Sequence, residues 1–213
     1  MRLANMARRP LVGLSHFMAG RANLGIHRPR SAVECFERAL EHEPPTPALG
    51  LRMARQLREL GYPSLAGRCL DQIQSAFESD ASYWDAVFQA ARDRLDAVAL
   101  MTAAERLHRM EPGNPLHAGN YAAALLINRA KPAEALRLTL PLVQRFPRST
   151  GIAINHAMAL AQMRRGDEAA ALLETIDSTH LDRDEVTAFQ LARYEVFLTL
   201  GDRKGAEATA AAM

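Results

Sequence analysis

The chain has 213 residues, of which 48% are hydrophobic and 23% charged, so it is long and apolar enough to bury a core. A net charge of +2 is too small to indicate a nucleic-acid partner by itself, and no run approaches the roughly 18 apolar residues that a membrane span requires. Aromatic residues make up only 6%, and the abundance of Ala, Leu and Arg favours helix. Residues 1–30 contain six arginines and no acid, which predicts a basic N-terminal segment, 1–12, and then a basic first helix.

The first predicted pair of elements lies between Gly13 and Pro44. Apolar residues at helical spacing predict two amphipathic helices, and the second begins at Pro29, where the missing N–H costs nothing. A small residue in each helix, Gly20 and Ala32, allows the two helices to pack closely as an antiparallel hairpin.

The same pattern recurs along the chain with a period of 34 or 35 residues. A column is the set of equivalent positions in successive hairpins. The column of the first helices holds a small residue at five of its six positions: Gly20, Ala54, Phe88, Ala122, Ala157 and Ala192. The column of the second helices is also small at five of six: Ala32, Ala66, Leu100, Ala135, Ala170 and Gly205. A third column marks the starts of the second helices: Pro29, Pro63, Ala97, Pro132, Asp167 and Asp202. Agreement among the columns predicts six helix hairpins.

The predicted hairpins occupy residues 13–46, 47–80, 81–114, 115–149, 150–184 and 185–213. The third departs from the pattern, because Phe88 and Leu100 replace both small residues. Either this hairpin is splayed, or its helices shift until Ala90 and Ala99 or Ala103 make the close contact.

This pattern resembles the tetratricopeptide repeat (TPR), and the first hairpin matches it best, through Gly20, Ala32, Phe36, Ala39 and Pro44. The resemblance covers roughly residues 11–213. It implies an all-α, right-handed superhelical solenoid that forms a single domain over residues 13–213. It also implies that the first helices line a concave groove, in which members of this family hold a peptide or a helix of a partner protein.

Placing the first helices in the register of the repeat predicts which residues face the groove. They are Phe17, Arg21, Leu51, Arg52, Arg55, Arg58, Asn120, Asn155, Met158, Gln190 and Arg193. Apolar anchoring of the ligand is expected at four positions: Phe17, Leu51, Leu126 and Phe197.

Four of these residues form an arginine cluster near one end of the groove: Arg21, Arg52, Arg55 and Arg58. Guanidinium groups pair well with carboxylates, so the cluster predicts a binding site for an acidic segment or a C-terminal carboxylate. The alternative is a solvated face that Glu59 and Asp71 balance.

Asn120, Asn155 and Gln190 follow one another at intervals of 35 residues. A side-chain amide both donates and accepts hydrogen bonds, so a ladder of amides would hold the backbone of an extended peptide of any sequence. The alternative is three polar surface residues, or amides that bond within the array.

No pattern of catalytic or metal-ligating residues is present in the sequence. The histidines lack paired metal spacing, so we expect neither an enzyme nor a cofactor. Cys35 and Cys69 lie 34 residues apart in equivalent helices, whose axes are about 8–10 Å apart, farther than a disulfide allows. Two free thiols and a reducing, cytoplasmic location are therefore expected.

The sequence thus predicts a non-catalytic scaffold or adaptor that binds a protein or peptide, which the arginine cluster would make acidic. The alternative is a helical repeat protein that binds single-stranded RNA, because some repeats of 35 residues read one base each. Against RNA, the groove lacks a continuous basic track. The Ala-rich end, 206–213, lacks a polar outer face, which predicts fraying or, alternatively, docking of a partner or self-association.

Overall fold

The structure, a computed structural model, describes residues 9–44 and 46–212, and all the regular secondary structure in these segments is helical. The described residues form twelve α-helices: α1 Arg9–Gly25, α2 Pro29–Ala39, α3 Pro47–Glu59, α4 Pro63–Ile73, α5 Ala81–Asp93, α6 Ala97–Met110, α7 Pro115–Ile127, α8 Pro132–Arg145, α9 Thr150–Gln162, α10 Gly166–Glu174, α11 Arg183–Leu200 and α12 Arg203–Ala211. The all-α prediction is confirmed. Helix α1 begins before the predicted boundary at Gly13, and most of the predicted segment 1–12 lies outside the described residues.

The chain divides into two compact units, with the boundary between Ala103 and Ala104, inside α6. In the first unit α1 packs against α2, α3 against α4, and α5 against both α3 and α4. In the second unit α9 is central and contacts α7, α8, α10 and α11, while α11 also contacts α10 and α12. Odd-numbered helices are thus the first helices of the predicted hairpins. The single domain over residues 13–213 stays a prediction.

Prolines and short polar side chains start most of the helices. Proline is the first residue of five of them, at Pro29, Pro47, Pro63, Pro115 and Pro132. At the last hairpin, the Asp202 side chain accepts from the Gly205 N–H, as its place in the repeat predicts. Asp167 instead lies in the first turn of α10, where it faces the positive end of the helix dipole.

Every odd-numbered helix ends in the same turn. An N–H two or three residues past the helix donates to a carbonyl five residues earlier, at 2.8–2.9 Å, and these donors are Arg28, Tyr62, Asp96, Ala130, Arg165 and Asp202. This bond is the signature of the Schellman motif, which places the preceding residue in the left-handed region. Those residues are His27, Gly61, Leu95, Arg129, Arg164 and Gly201, with φ between 49° and 86°. The chain therefore reverses after every first helix.

The small residues of the first helices lie in the core, as the repeat predicts. A Cβ added to Gly20 would lie 2.5 Å from the ring of Phe36 on α2, so only glycine fits there without a shift of that ring. The equivalent alanines are at most 1% exposed, namely Ala54, Ala122, Ala157 and Ala192. In the third repeat Phe88 and Leu100 are both buried, at 6% and 9% exposure.

The predicted column of the second helices is wrong at its last two members. Ala170 is half-exposed, whereas Ala169 is fully buried, and in the last helix the buried residue is Ala206 and not Gly205. At Ala170 the cause is an extra left-handed residue, Lys131, in the fourth turn, which the fifth turn lacks, so counting a constant period through Ala135 goes one residue too far. At Gly205 the count falls one residue short, because the turn after α11 comes 37 residues after the turn that follows α9.

The fraying predicted for the Ala-rich end stays a prediction. Helix α12 continues to Ala211 and buries Ala206 and Thr209.

The prediction for the cysteines is confirmed, because both are free thiols. Cys69 donates to the carbonyl of Gly50 at 3.3 Å, and burial raises its pKa to about 12.

One buried histidine joins two helices of the second unit. His156 on α9 is 8% exposed, and its Nδ1 lies 2.8 Å from Oγ1 of the fully buried Thr139 on α8. Burial lowers the pKa of His156 below its ordinary value; Arg165 acts in the same direction and Glu168 opposes it. The folded protein therefore favours the neutral imidazole.

We predict opposite effects for the same glycine-to-alanine change at two positions. Gly61 has φ +86°, and a Cβ there would meet no atom within 4 Å, so backbone strain alone opposes it. Gly61→Ala should lower the free energy of unfolding by about 1–2 kcal/mol. A Cβ at Gly25, at the end of α1, would also meet no atom within 4 Å, and the φ of Gly25 is not positive. Gly25→Ala should therefore raise the free energy of unfolding by about 0.5–1 kcal/mol. Urea unfolding measures the free energy of both variants. Changes of the same sign in the two variants would contradict the left-handed conformation of Gly61.

We also predict that stability falls as the pH drops below the ordinary pKa of histidine, about 6.5. The unfolded chain binds a proton at His156 there, whereas the folded protein does so only at lower pH, so protonation favours unfolding. His156→Asn retains a group that can bond Thr139 and cannot be charged, so it should reduce the pH dependence. His180→Asn, at an exposed position, is the matched control. Urea unfolding across this range measures the slope, and an unchanged slope in His156→Asn would refute the assignment.

Candidate peptide-binding surfaces

An open cleft of about 320 Å³ lies between α7 and α9 in the second unit. We call it the amide cleft, and its lining residues are Pro115, Leu116, Gly119, Asn120, Phe146, Gly151, Ile152 and Asn155. Two of the three predicted ladder amides, Asn120 and Asn155, are therefore brought together in one concave surface.

The local sequence places the two amides at equivalent depths. Helix α7 begins at Pro115 after Asn114, whose Oδ1 accepts from the Leu116 N–H at 3.0 Å. Helix α9 begins at Thr150, so Asn120 and Asn155 each lie five residues after the start of their helix. Because α7 packs against α9, residues 35 apart in the sequence become neighbours across the cleft.

The amides of Asn120 and Asn155 are half-buried, and no hydrogen bond joins either side chain to another described residue. Each retains one acceptor, Oδ1, and two N–H donors for a ligand. Apolar walls flank them, and the side chain of Leu116 is 65% exposed although it is apolar. The cleft therefore combines unpartnered amides with apolar surface, the combination that binding sites for small groups commonly show.

Three apolar wall residues were missed by the sequence analysis: Leu116, Phe146 and Ile152. Leu116 and Ile152 lie in the first turns of α7 and α9, and Phe146 ends α8. A large apolar residue in the first turn of a first helix is the signal that would have found two of them. Phe146 lies outside the first helices, and the period does not indicate it.

The prediction is wrong for three of the four apolar anchors, because their side chains are buried. Phe17, Leu51 and Leu126 are 2%, 7% and 1% exposed, and Met158 is 3% exposed, so a ligand cannot reach them. Their side chains turn toward neighbouring helices instead; the ring of Phe17, for example, lies 5.5 Å from that of Phe36 on α2. These residues stabilise the core.

The arginine cluster divides into two paired and two unpaired members. Arg58 Nη1 lies 3.1 Å from Asp93 Oδ2, and Arg55 Nη2 donates to the carbonyl of Ser82 at 3.1 Å. Both contacts tie α3 to α5. The partners are thus on the neighbouring first helix, and they replace the balancing acids that the sequence analysis proposed, Glu59 and Asp71.

The other two arginines, Arg21 on α1 and Arg52 on α3, are exposed. No hydrogen bond or ion pair joins either of them to another of the described residues. Arg21 and Arg52 are therefore the members of the arginine cluster that remain unpaired, and their binding of an acidic ligand stays a prediction.

The last two predicted groove residues lie on α11. Gln190 is half-buried and does not line the amide cleft, so its place as a third ladder amide also stays a prediction. Arg193 lines a different concave surface, together with residues of α10. The same surface includes Phe197, the fourth predicted anchor, whose ring also lies close to Gly205 of α12.

The described residues contain no cluster of three or more His, Cys, Asp or Glu side chains that could hold a metal ion. Within the same ranges, no helix is both long and apolar enough to cross a membrane. His117 is half-buried, and its Nδ1 lies 3.4 Å from Glu111 Oε2, which is an ion pair only when the ring is protonated.

No family model matches the chain, and no curated protein matches its sequence. Among solved structures, the chain is similar to a tetratricopeptide repeat protein from Parabacteroides merdae ATCC 43184, with a TM-score of 0.63 and 12% identity, over 93% of this chain and 77% of that one. It is also similar to PilF of Pseudomonas aeruginosa, with a TM-score of 0.50 and 14% identity, over 94% and 90%. Together with the twelve helices and their recurring turn, these likenesses identify the fold of this chain as that of a tetratricopeptide-repeat protein.

Proposed function

We propose that this protein is a non-catalytic adaptor that binds an extended segment of a partner protein in the amide cleft. A TPR-like fold supports a protein-interaction scaffold in general terms, because stacked helices present extended surface for binding. The observation that carries the more specific proposal is the pair Asn120 and Asn155, whose unpartnered amides share one cleft.

The chemistry of an extended peptide fits these two amides. Each peptide residue presents an N–H donor and a C=O acceptor, and one Asn side chain can accept from the first and donate to the second. Two such amides on neighbouring helices would fix the direction of the peptide whatever its sequence. Sequence preference would come from side chains that contact the apolar wall at Leu116 and Ile152.

The experiment uses a peptide selected from a random library displayed on phage, with the full chain as bait. Asn120→Ala and Asn155→Ala should each weaken the binding of that peptide by about five- to thirtyfold, because each removes one or two hydrogen bonds worth about 1 kcal/mol apiece. Isothermal titration calorimetry measures the affinity, and circular dichroism confirms that the variants remain helical.

Gln144→Ala on α8 is the matched control, because Gln144 is an exposed amide that does not line the amide cleft. It should leave the affinity unchanged. Full affinity in both asparagine variants would reject the amide cleft as the binding site, and equal losses in all three variants would show an effect that is not local to the cleft.

The paired and unpaired arginines give a separate prediction about stability. Arg58→Gln should lower the free energy of unfolding by up to about 1 kcal/mol, because it removes the ion pair with Asp93 that joins α3 to α5. Arg52→Gln should leave it unchanged, since Arg52 is exposed and has no partner among the described residues. Urea unfolding of both variants tests this, and a larger loss in Arg52→Gln would contradict the assigned partners.

We retain the cytoplasm as the proposed location. Both cysteines are free thiols, and the raised pKa of Cys69 keeps that thiol protonated near neutral pH. Free thiols of this kind suit a reducing compartment.

A further inference from the structure

A second concave surface, of about 460 Å³, lies between α10 and α11 and shares no residue with the amide cleft. We call it the Arg193 pocket, and the residues that matter are Leu173, Glu174, Ile176, Phe189, Arg193 and Phe197. Its volume falls within the range of about 300–1,000 Å³ that is typical of ligand pockets. Apart from Arg193, Glu174 and Ser178, the side chains that line it are apolar.

The guanidinium of Arg193 is held between two aromatic side chains of its own helix. Its Cζ lies 5.9 Å from the ring centroid of Phe189 and 5.6 Å from that of Phe197. The spacing of four residues places all three side chains on one face of α11. Contacts at these distances are attractive cation–π interactions, and they position the cation inside an apolar wall.

The N–H donors of Arg193 remain available. No described carboxylate forms an ion pair with it, and no hydrogen bond joins it to another described residue. A guanidinium presents its N–H groups at the edge of a plane, in a fork that matches a carboxylate. In apolar surroundings such a charge-assisted bond is stronger than it is in water.

The acidic residues near the pocket are mostly engaged elsewhere. Asp177 accepts from the backbone and hydroxyl of Thr179, and Asp182 caps α11 through the Glu185 N–H. Glu174 is exposed, lines the pocket and has no ion pair with the described residues. It is the one acidic residue among the described residues that line the pocket, and its charge disfavours a ligand with several acidic groups.

We propose that the Arg193 pocket binds a bulky apolar side chain of a partner protein that is followed directly by a single acidic residue. The apolar side chain packs against Ile176 and the exposed Leu200, and the adjacent carboxylate accepts hydrogen bonds from Arg193. Charge complementarity with the unpaired guanidinium selects this partner chemistry over a purely apolar one.

Two dipeptides test the proposal directly: acetyl-Phe-Asp-amide and acetyl-Phe-Asn-amide, which differ in charge at nearly equal size. Each is titrated into the full ¹⁵N-labelled chain, and amide shifts are followed by NMR. We expect saturable shifts in residues 173–176 and 189–197, with the Asp dipeptide bound at least about fivefold more tightly, since a hydrogen bond to a charged group contributes more than a neutral one. Equal affinity of the two dipeptides, absence of saturable shifts, or shifts confined to the amide cleft would overturn the proposal.

Substitutions show which residues are responsible for the preference between the two dipeptides. Arg193→Gln should abolish the preference for the Asp dipeptide, whereas Arg203→Gln, at an exposed arginine of α12, should retain it. Glu174→Gln should tighten binding of the Asp dipeptide, because it removes a nearby negative charge. A preference that persists in Arg193→Gln would overturn the proposal, and the comparison of the two dipeptides on the wild-type chain decides the question if that variant is unfolded. Asn120→Ala should not affect these dipeptides, so this test is independent of the amide cleft.

Discussion

The hydrogen bond that closes each first helix is the constraint on which the rest of the structure depends. It runs from a residue two or three past the helix to the carbonyl five residues earlier, and it requires a left-handed residue between them. Because this reversal recurs after 34, 34, 34, 35 and 37 residues, chain segments about one period apart become neighbours. Contacts between first helices follow from it: Arg58 pairs with Asp93, 35 residues on, and Gln162 donates to the Leu126 carbonyl, 36 residues back.

The same constraint builds the amide cleft. Asn120 and Asn155 have no direct interaction that brings them together; they share a cleft because each lies five residues into its helix and α7 and α9 pack side by side. Each amide therefore lies on a rigid helix, which is the arrangement that holds binding groups most accurately. The Arg193 pocket is built differently, because its cation is fixed by two aromatic side chains of a single helix.

Periodicity alone was sufficient to predict the helical class, the repeat and the neighbouring positions of Asn120 and Asn155. It was insufficient where the period changes, as at Lys131, and it did not reveal the turns, because only Gly61 and Gly201 of the six left-handed residues that follow the first helices are glycines. The other turns hold residues such as Leu95, which the hydrogen bond forces into that conformation.

Burial was the weakest part of the sequence-based prediction. Successive residues of a helix point about 100° apart, so a small error in the assumed facing direction exchanges core and surface. Phe17, Leu51 and Met158 were expected in a groove and lie in the core, whereas Leu116 is exposed in the amide cleft. The period does not indicate the partner of Arg58, because one period of 34 residues leads to Arg92, whereas the ion pair is made by its neighbour Asp93.

The most direct test of the central claim is a crystal structure of the full chain with a peptide selected against it. The account predicts that the side-chain amides of Asn120 and Asn155 lie within about 3 Å of backbone N and O atoms of an extended peptide. A peptide that contacts the chain outside the amide cleft, or that reaches the cleft only through its side chains, would contradict the account.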